Sequence, residues 1–260
     1  MPDFHLTFLG TGTSHGIPVI GCGCRVCHSD DPRDRRTRSA ARLETGTGVI
    51  QIDTPPDFRE QCLRGGYFHA DAVLYTHSHM DHMIGFDDLR RFCELSDREM
   101  PVYGAPQTLA DLRRIFPYAF DGERQFRTYV RPRPVEITGP FEICGVEVIP
   151  TPLPHGRVTT TGLVFRAGGR TKLAYFTDCQ EVPESAAEAA RDCDVLVIDA
   201  LRHTPHPTHM TVQQAVEAAR KIGARRTYLT HICHELPHRE TGAALPGDIH
   251  LAHDGLSVTI

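Results

Sequence analysis

Residues 72–82 read AVLYTHSHMDH, an apolar run followed at once by three histidines and an aspartate. The first four residues have the composition of a buried strand. The remainder has the form His-x-His-x-Asp-His and places its metal-binding side chains where that strand opens into a loop. Because alternate side chains of an extended segment point the same way, His77 and His79 can bind one ion, which leaves Asp81 and His82 for a second.

Three further candidate ligands follow other predicted strands. Taken singly, His155 could be a turn residue, Asp178 a helix cap and His231 a buried histidine. Taken together with the first motif they complete a site for two ions, because α/β scaffolds assemble ligands from separate strand ends. Two ions about 3.5–4 Å apart can hold the attacking and leaving oxygens of a displacement at phosphorus. The predicted sets are His77, His79 and His155 for one ion and Asp81, His82 and His231 for the other, with Asp178 bridging them.

Short β-branched and aromatic runs alternate with amphipathic segments along the chain, which indicates an α/β protein. The clearest helix is Val212–Ile222, where Thr211 and Gln214 have capping-box spacing and Gly223 follows the last turn. The other predicted helices are Phe58–Arg64, Phe86–Leu95, Thr108–Ile115 and Glu184–Arg191. The predicted strands are His5–Leu9, Gly48–Ile52, Ala72–Tyr75, Val102–Tyr103, Val146–Pro150, Gly162–Arg166, Lys172–Phe176, Val195–Ile198 and Thr227–Leu229.

The 260 residues suit one hydrolase domain spanning 1–260. No run of about 18 apolar residues occurs, and the first residues lack the pattern of a signal peptide, so we expect a cytoplasmic protein without a membrane partner. A net charge of -5 does not indicate general affinity for nucleic acid or anionic membranes. The mixed-charge stretch Asp30–Arg38 is predicted to be a solvated loop.

A second cluster of candidate ligands lies at residues 21–28, which read GCGCRVCH. Nine cysteines in a chain without an export signal favour reduced thiols and metal ligands over disulfides. A site of three cysteines and one histidine leaves no position open for substrate, so the predicted ion is a structural zinc. The predicted ligands are Cys22, Cys24, Cys27 and His234, with His28 as the competing fourth ligand.

The histidine-rich motif, joined with the three later candidates, resembles the metallo-beta-lactamase superfamily. The opening Leu9–Thr13 (LGTGT), the cysteine cluster and the closing Thr230–His234 (THICH) narrow this resemblance to the PhnP-type cyclic phosphodiesterases of the carbon-phosphorus lyase pathway. The resemblance implies a four-layer αββα sandwich with a dinuclear metal site at the edge of two packed sheets. It further implies a small phosphodiester substrate, such as phosphoribosyl 1,2-cyclic phosphate or a cyclic nucleotide, that is hydrolysed to a phosphomonoester.

The resemblance also implies a general acid. In the family a histidine in the loop before a late helix has this role, and His209 occupies that place here. An imidazole suits proton transfer to a departing alkoxide because its pKa lies near neutral pH. His203 and His206 are alternatives in the same loop. Asp81 is assigned a catalytic role besides metal binding, and Asp53, in a stretch that departs from the family's Asp-x-Gly, is expected to support a ligand histidine.

Other interpretations remain open. The catalytic ions could be zinc, manganese or iron, since mixed imidazole and carboxylate sites accept all three. A ribonuclease Z-like RNA 3′-end endonuclease is an alternative function, favoured by the basic stretch Arg124–Arg133 but not by any long substrate-binding arm. Nucleic acid is therefore a possible but not favoured partner, and a homodimer is possible. Thiolester or lactam hydrolysis shares the metal chemistry, and a non-catalytic PqqB-like protein also carries a cysteine cluster.

Overall fold

The computed structural model describes residues 4–122, 126 and 128–260. In chain order its strands are β1 His5–Gly10, β2 Ala40–Glu44, β3 Val49–Ile52, β4 Ala72–Leu74, β5 Met100–Gly104, β6 Pro132–Glu136, β7 Phe141–Ile143, β8 Val146–His155, β9 Val158–Ala167, β10 Arg170–Phe176, β11 Val195–Asp199, β12 Arg226–Thr230, β13 Ile249–Leu251 and β14 Ser257–Thr259. They form two seven-stranded sheets. The orders are β14-β1-β2-β3-β4-β5-β6 and β13-β12-β11-β10-β9-β8-β7.

The α-helices are α1 Phe58–Gly65, α2 Met80–Met83, α3 Arg90–Ser96, α4 Pro106–Ile115, α5 Pro117–Phe120, α6 Glu184–Ala189, α7 Val212–Ile222 and α8 His238–Ala244, and short 3-10 helices span Pro32–Asp34 and Ile84–Leu89. α7 has the predicted boundaries. Thr211 and Gln214 form the capping box, and Gly223 ends the helix in the left-handed conformation with φ 76°. Among the described residues, none of the helices combines the length and hydropathy needed to cross a membrane.

The two sheets share one internal plan. In the first sheet the strands from β14 to β3 pair antiparallel and those from β3 to β6 pair parallel. In the second sheet the strands from β7 to β10 pair antiparallel and those from β10 to β13 pair parallel. Parallel strands end at the same edge of a sheet, so each sheet provides one edge where loops can combine side chains into a site.

Three apolar layers hold the sheets and helices together. Phe8, Tyr175 and Val197 belong to the layer between the sheets. On the outer face of the first sheet, α1 and α3 contribute to a second layer that includes Phe58, and α6 and α7 contribute to a third on the second sheet that includes Val216. The predicted four-layer αββα sandwich is confirmed by this arrangement.

Strand β8 shows how a sequence rich in proline can still form a long strand. Pro150, Pro152 and Pro154 alternate along it and pair with β9. β7 covers β8 only as far as Val148 on the opposite side. Proline cannot donate to a β-ladder, and in alternate positions its missing N–H falls on one side of the strand. The three prolines therefore fit a strand half that lies at the edge of the sheet.

Every predicted strand is present, several of them longer than predicted. The predicted helix Phe86–Leu95 is wrong in type at its start, because the chain first forms the 3-10 helix Ile84–Leu89 and then α3. Five strands were not predicted: β2, β6, β7, β13 and β14. They have only three to five residues, and pairing with neighbours defines them more than their own composition does.

The prediction of a solvated loop for Asp30–Arg38 is wrong at the centre of the stretch. Arg36 is 1% exposed and forms a buried ion pair with Asp34 at 2.9 Å. Its guanidinium also donates to the carbonyl oxygens of Cys233 at 3.0 Å and Leu236 at 2.7 Å. A charge can be buried when all its donors find partners, and here those partners come from a segment some 200 residues away in the chain.

Candidate metal centre and active site

The predicted ligands come together at the carboxyl ends of strands from both sheets. The first sheet supplies the motif after β4, part of which forms α2. The second sheet supplies one ligand at the end of β8 and one after each of β10 and β12. The ligand atoms of His77, His79 and His155 lie within 4.8 Å of one another, and so do those of Asp81, Asp178 and His231.

Asp178 lies between the two histidine groups. Its Oδ1 is 3.2 Å from His82 Nε2 and 3.1 Å from His231 Nδ1. Its Oδ2 is 4.0 Å from Nε2 of both His77 and His155. The two oxygens of this one buried carboxylate thus face the two predicted ligand groups, which is the geometry that a ligand shared by two ions requires.

The ligand histidines are held from behind by hydrogen bonds. The contacts are His77 Nδ1 with Thr76 Oγ1 at 3.0 Å, His82 Nδ1 with Asp53 Oδ2 at 2.7 Å, and His155 Nδ1 with the Thr208 carbonyl oxygen at 2.9 Å. Such contacts fix the ring orientation of metal-binding histidines. In the described part of the chain, Nε2 of His77 is buried without a hydrogen-bond partner, and the 3.2 Å contact of His82 Nε2 with Asp178 Oδ1 lacks hydrogen-bond geometry. Buried orphaned nitrogens that face a carboxylate fit a metal site, because an ion supplies the partner they lack.

Charge in this cluster is unevenly distributed. Burial, together with the neighbouring His82, lowers the pKa of His77 well below its ordinary value. Burial also acts to lower the pKa of His82, but Asp178 and Asp53 raise it well above its ordinary value. Burial opposes ionisation of Asp178, yet His231 and His82 hold its pKa well below the usual range. The cluster therefore contains an ionised carboxylate that attracts positive charge into the space between the rings.

Half of the described non-glycine residues with positive φ lie at this cluster. Asp53, Asp178 and His231 all have positive φ, of 58°, 53° and 58°. Residues other than glycine enter this region at a cost that the surrounding structure must offset, and such residues are typical of functional sites. In each of the three, the unusual backbone lies at or directly beyond the last residues of a strand, where it turns the side chain towards the cluster.

His209, the predicted general acid, lies beside the metal ligands and is almost fully buried. Its ring centroid is 4.7 Å from those of both His155 and His231. Its Nδ1 is 2.6 Å from Oδ2 of Asp199, the last residue of β11. Burial lowers the pKa of His209 and raises that of Asp199. The neighbouring His206 is 5.2 Å away between ring centroids and contacts Thr208 rather than a buried carboxylate, so the geometry favours His209 as the acid.

Asp199 is the residue of this cluster that the sequence analysis missed. It directly follows the apolar run Val195–Ile198, much as Asp178 comes shortly after β10. Its Oδ2 also accepts a hydrogen bond from the Cys179 backbone N–H at 3.0 Å. A carboxylate at the end of a fully buried strand could have identified Asp199 in the sequence. Such a strand rarely ends in a charge without a partner, so a nearby polar partner could have been expected.

The metal cluster opens into a cavity of about 350 Å³. Ser14 and His209 line it together with the candidate ligands His79, Asp81, His155, Asp178 and His231. A second, larger cavity of about 830 Å³ adjoins it and shares His79, Arg157 and Val158 with it. The site is thus accessible to a small molecule and continues into a groove.

The cysteine cluster forms a separate site. His234 Nδ1 lies 3.2 Å from Cys22 Sγ, 3.4 Å from Cys24 Sγ and 3.8 Å from Cys27 Sγ. A tetrahedral zinc with Zn–S of about 2.3 Å and Zn–N of about 2.0 Å requires S···N distances near 3.5 Å. The N–H of Cys27 lowers the pKa of Cys24 to about 6, while burial raises that of Cys27 to about 11. His28, the competing ligand, is exposed, and its Nδ1 contacts the Cys24 carbonyl oxygen at 3.2 Å.

Backbone pairing connects the LGTGT stretch, Leu9–Thr13, with the segment that carries both His231 and His234. Ile232 donates its N–H to the Thr11 carbonyl oxygen at 2.9 Å, and the Thr13 N–H donates to the Ile232 carbonyl oxygen at 3.2 Å. A Cβ added to Gly10 would lie 2.0 Å from the Arg38 carbonyl oxygen, so the glycine permits close approach of two backbones. The LGTGT stretch therefore has a structural role: its glycine lets neighbouring backbone segments pack closely. It brings Ser14 to the cavity, whereas His15 is exposed.

Comparison with known proteins agrees with this geometry. Residues 49–232 match the model of a family described as the beta-lactamase superfamily domain. With its two packed sheets and its histidine and aspartate clusters, the chain belongs to the metallo-beta-lactamase superfamily of metal-binding hydrolases. Within it, the chain is PhnP-like. A solved structure described as a new diphosphatase from the PhnP family is 40% identical, with a TM-score of 0.91 over 99% of this chain and 97% of that one.

Two further relatives share the sequence or the fold of this chain. An octanoyltransferase of Porphyromonas gingivalis is 38% identical over 256 residues, which are 97% of this chain but 51% of that protein. The chain spans about half the length of the curated relatives it matches first. The zinc-bound PqqB structure from Methylobacterium extorquens has a TM-score of 0.80 at 21% identity, covers 98% of this chain and 100% of that one, and shares the fold.

Proposed function

We propose that this chain is a phosphodiesterase with two catalytic metal ions that hydrolyses a small phosphodiester to a phosphomonoester. The ligands would be His77, His79, His155, Asp81, His82 and His231, with Asp178 shared between the ions. The two ions, zinc or manganese with iron as a further candidate, would supply a hydroxide nucleophile near neutral pH and stabilise charge on the phosphoryl oxygens. A structural zinc would occupy Cys22, Cys24, Cys27 and His234.

The observation that carries the proposal is the pair formed by His209 and Asp199. A dinuclear site alone is compatible with esters, thiolesters and lactams. A proton donor beside it matters most when the leaving group is an alkoxide, which departs poorly without a proton. Asp199 accepts the Nδ1 proton of His209, which leaves Nε2 to deliver a proton to the leaving oxygen. The same contact orients the ring towards the cavity that the metal ligands line.

The test varies the leaving group while the acid is removed. We expect His209→Gln, in protein reconstituted with zinc or manganese, to lower turnover of 2′,3′-cyclic AMP by about 10²–10⁴-fold. Turnover of bis(p-nitrophenyl) phosphate should fall much less, since p-nitrophenolate leaves without a proton. His206→Gln, in the same loop, is the matched control. Equal losses for both substrates, or no diester turnover by the native protein with its metals bound, would contradict the proposal.

Two other substrate classes have specific support from the relatives. The PhnP-family structure is described as a diphosphatase, so ADP-ribose should be assayed as a diphosphate diester. The 38% identical relative is named for octanoyl transfer, which favours an octanoyl thiolester as a second candidate. A thiolate leaves without protonation, so thiolester hydrolysis should survive His209→Gln. If the protein hydrolysed an octanoyl thiolester faster than the phosphodiesters, and His209→Gln did not slow that reaction, thiolester hydrolysis would be the function instead.

A further inference from the structure

The five candidate ligand histidines are not equally supported. Four of them have a hydrogen-bond partner at a ring nitrogen, namely His77, His82, His155 and His231. His79 has no such partner in the described part of the chain, and it is exposed. Its carbonyl oxygen accepts the His82 N–H at 3.0 Å, but that contact holds the backbone and not the ring. A ligand histidine without a hydrogen bond behind its ring needs another source of orientation.

Ser78 separates His77 from His79 in the motif and connects it to a helix. The Ser78 hydroxyl donates to Asp111 Oδ2 at 2.8 Å. This hydrogen bond is the main reason why the pKa of Asp111 lies below its ordinary value, so the carboxylate is ionised at neutral pH. Hydrogen bonds to an ionised acceptor are shorter and stronger than those between neutral groups. The residue next to the unsupported ligand is therefore firmly held from outside the motif.

Asp111 belongs to a part of the fold that cannot easily move. It lies on α4, which follows β5 as the motif follows β4, and these two strands pair parallel, so both segments begin at the same edge of the sheet. α4 buries Leu109 and Leu112 in the apolar layer on the first sheet. Arg114, one turn further along α4, donates to Asp111 Oδ1 at 3.2 Å, so both carboxylate oxygens have partners. A carboxylate fixed on a packed helix is a rigid support for the Ser78 hydroxyl.

We infer that Asp111 is a positioning residue: it orients His79 through Ser78. Asp53 does the same for His82 by direct contact. The inference rests on the proposed function, since it takes His79 as a ligand of one of two catalytic ions. Only one of the two predicted ligand sets contains His79. The loss of Asp111 should therefore weaken the binding of one ion and leave the other bound as before.

A cobalt titration of protein stripped of its catalytic ions tests this, because visible absorbance reports both the affinity and the ligand geometry of each bound ion. We expect Asp111→Ala to weaken one ion about 3–10-fold, less than the 10–100-fold typical of a direct partner of a ligand. Ser78→Ala should have the same effect, and the double variant no larger one. Ser78→Thr keeps the hydroxyl and should restore the native affinity. Asp88→Ala is the matched control, since Asp88 is partly buried without a hydrogen bond or ion pair among the described residues.

The other outcomes separate positioning from two further roles. A urea midpoint for Asp111→Ala well below that of Asp88→Ala, with both ions weakened equally, would mean that Asp111 only stabilises the fold and would overturn the inference. Asp111 also lines the larger groove, so a higher KM for a phosphodiester with unchanged metal affinities would make it a substrate contact and would overturn the inference too. Weakening of one ion in a protein that hydrolyses no phosphodiester would count against the proposed function alone.

Discussion

The two candidate metal sites are built on opposite principles. The catalytic cluster draws its ligands from four separate places in the chain, and five of its seven side chains are buried. The cysteine cluster takes three of its four ligands from residues 22–27, and Cys22, Cys24 and His234 are partly exposed. The first is assembled by strand ends of two sheets, whereas the second is a loop closed by one distant histidine.

This difference predicts different consequences of damage. Buried strands and hydrogen bonds fix the positions of the candidate catalytic ligands, so these side chains cannot move to replace a lost neighbour. A substitution of one of them should therefore weaken metal binding by the whole catalytic cluster. A loop of three cysteines is a local structure, and its loss should act on catalysis only through the segment it shares with His231. Substitutions at these two sites, and at the residues between them, measure how independent they are.

Among substitutions of residues at and between the two metal sites, the largest effect is expected for Asp178→Asn. The substitution removes the charge that faces both histidine groups, while asparagine tolerates the left-handed backbone at φ 53°. We expect the catalytic metal content to fall below two ions per chain and diesterase turnover to decrease on the order of 10³-fold. Metal analysis by mass spectrometry and steady-state kinetics measure the two quantities on the same sample.

Asp192→Asn is a matched control for this substitution. Asp192 also has positive φ, of 54°, and is exposed in the turn between α6 and β11, away from both sites. The same chemical change in the same backbone conformation should leave metal content and turnover within about two-fold, as exposed substitutions usually do. If Asp178→Asn kept both its metals and most of its activity, a shared role for this carboxylate would be excluded.

Arg36→Met tests the connection between the two sites. Methionine keeps much of the apolar stem but leaves Asp34 buried without its cation and two carbonyl oxygens without their donor. Breaking a buried ion pair from one side costs about 3–5 kcal/mol. Urea denaturation should show this decrease, and both zinc retention and turnover should suffer, because the Cys233 and Leu236 carbonyls flank His234.

Arg33→Met provides the comparison for Arg36, since its ion pair with Asp31 is partly exposed and should be worth about 1 kcal/mol or less. In the double variant Arg36→Met, Asp34→Asn the buried charge is gone, so part of the lost stability should return. No recovery would mean that the hydrogen bonds to the two carbonyls, rather than the ion pair, hold the segment.

Asp53→Asn should have an intermediate effect. Asp53 accepts hydrogen bonds from His82 Nδ1 and from both the N–H and the hydroxyl of Thr76, so it orients a ligand without being one. Removing such support costs about 10–100-fold in metal affinity or activity. Competition with a chelator gives the affinity, and Asp57→Asn, in the same loop, is the control. An unchanged metal affinity would show that His82 needs no orientation from Asp53.

The sequence predicted the residues that the structure brings together in the candidate catalytic cluster, because each follows a strand that its own composition reveals. It did not reveal Asp199, whose role depends on the distance to His209, ten residues later in the chain. It also misassigned Arg36, because a run of mixed charge is usually solvated and only the tertiary fold brings Cys233 and Leu236 to it. Local patterns therefore predicted what lies at strand ends, whereas partners that come from distant segments required the structure.

The smallest effect on catalysis is expected for Cys24→Ser. Cys24 Sγ lies 3.4 Å from His234 Nδ1 and accepts the N–H of Cys27 at 3.4 Å, so serine should release the proposed structural zinc. The backbone bonds of Ile232 with Thr11 and Thr13 remain, and they hold the neighbouring His231 without help from the cysteines.

We therefore expect Cys24→Ser to lose about one zinc per chain while turnover falls about ten-fold or less, as for a change acting at a distance. Zinc analysis beside kcat/KM measures both effects, and Cys62→Ser controls for the replacement of a thiol far from the cluster. A loss of turnover as large as that of Asp178→Asn would contradict the independence of the two sites. It would mean that backbone pairing alone cannot hold His231, and that the cysteine cluster is part of what positions the catalytic ligands.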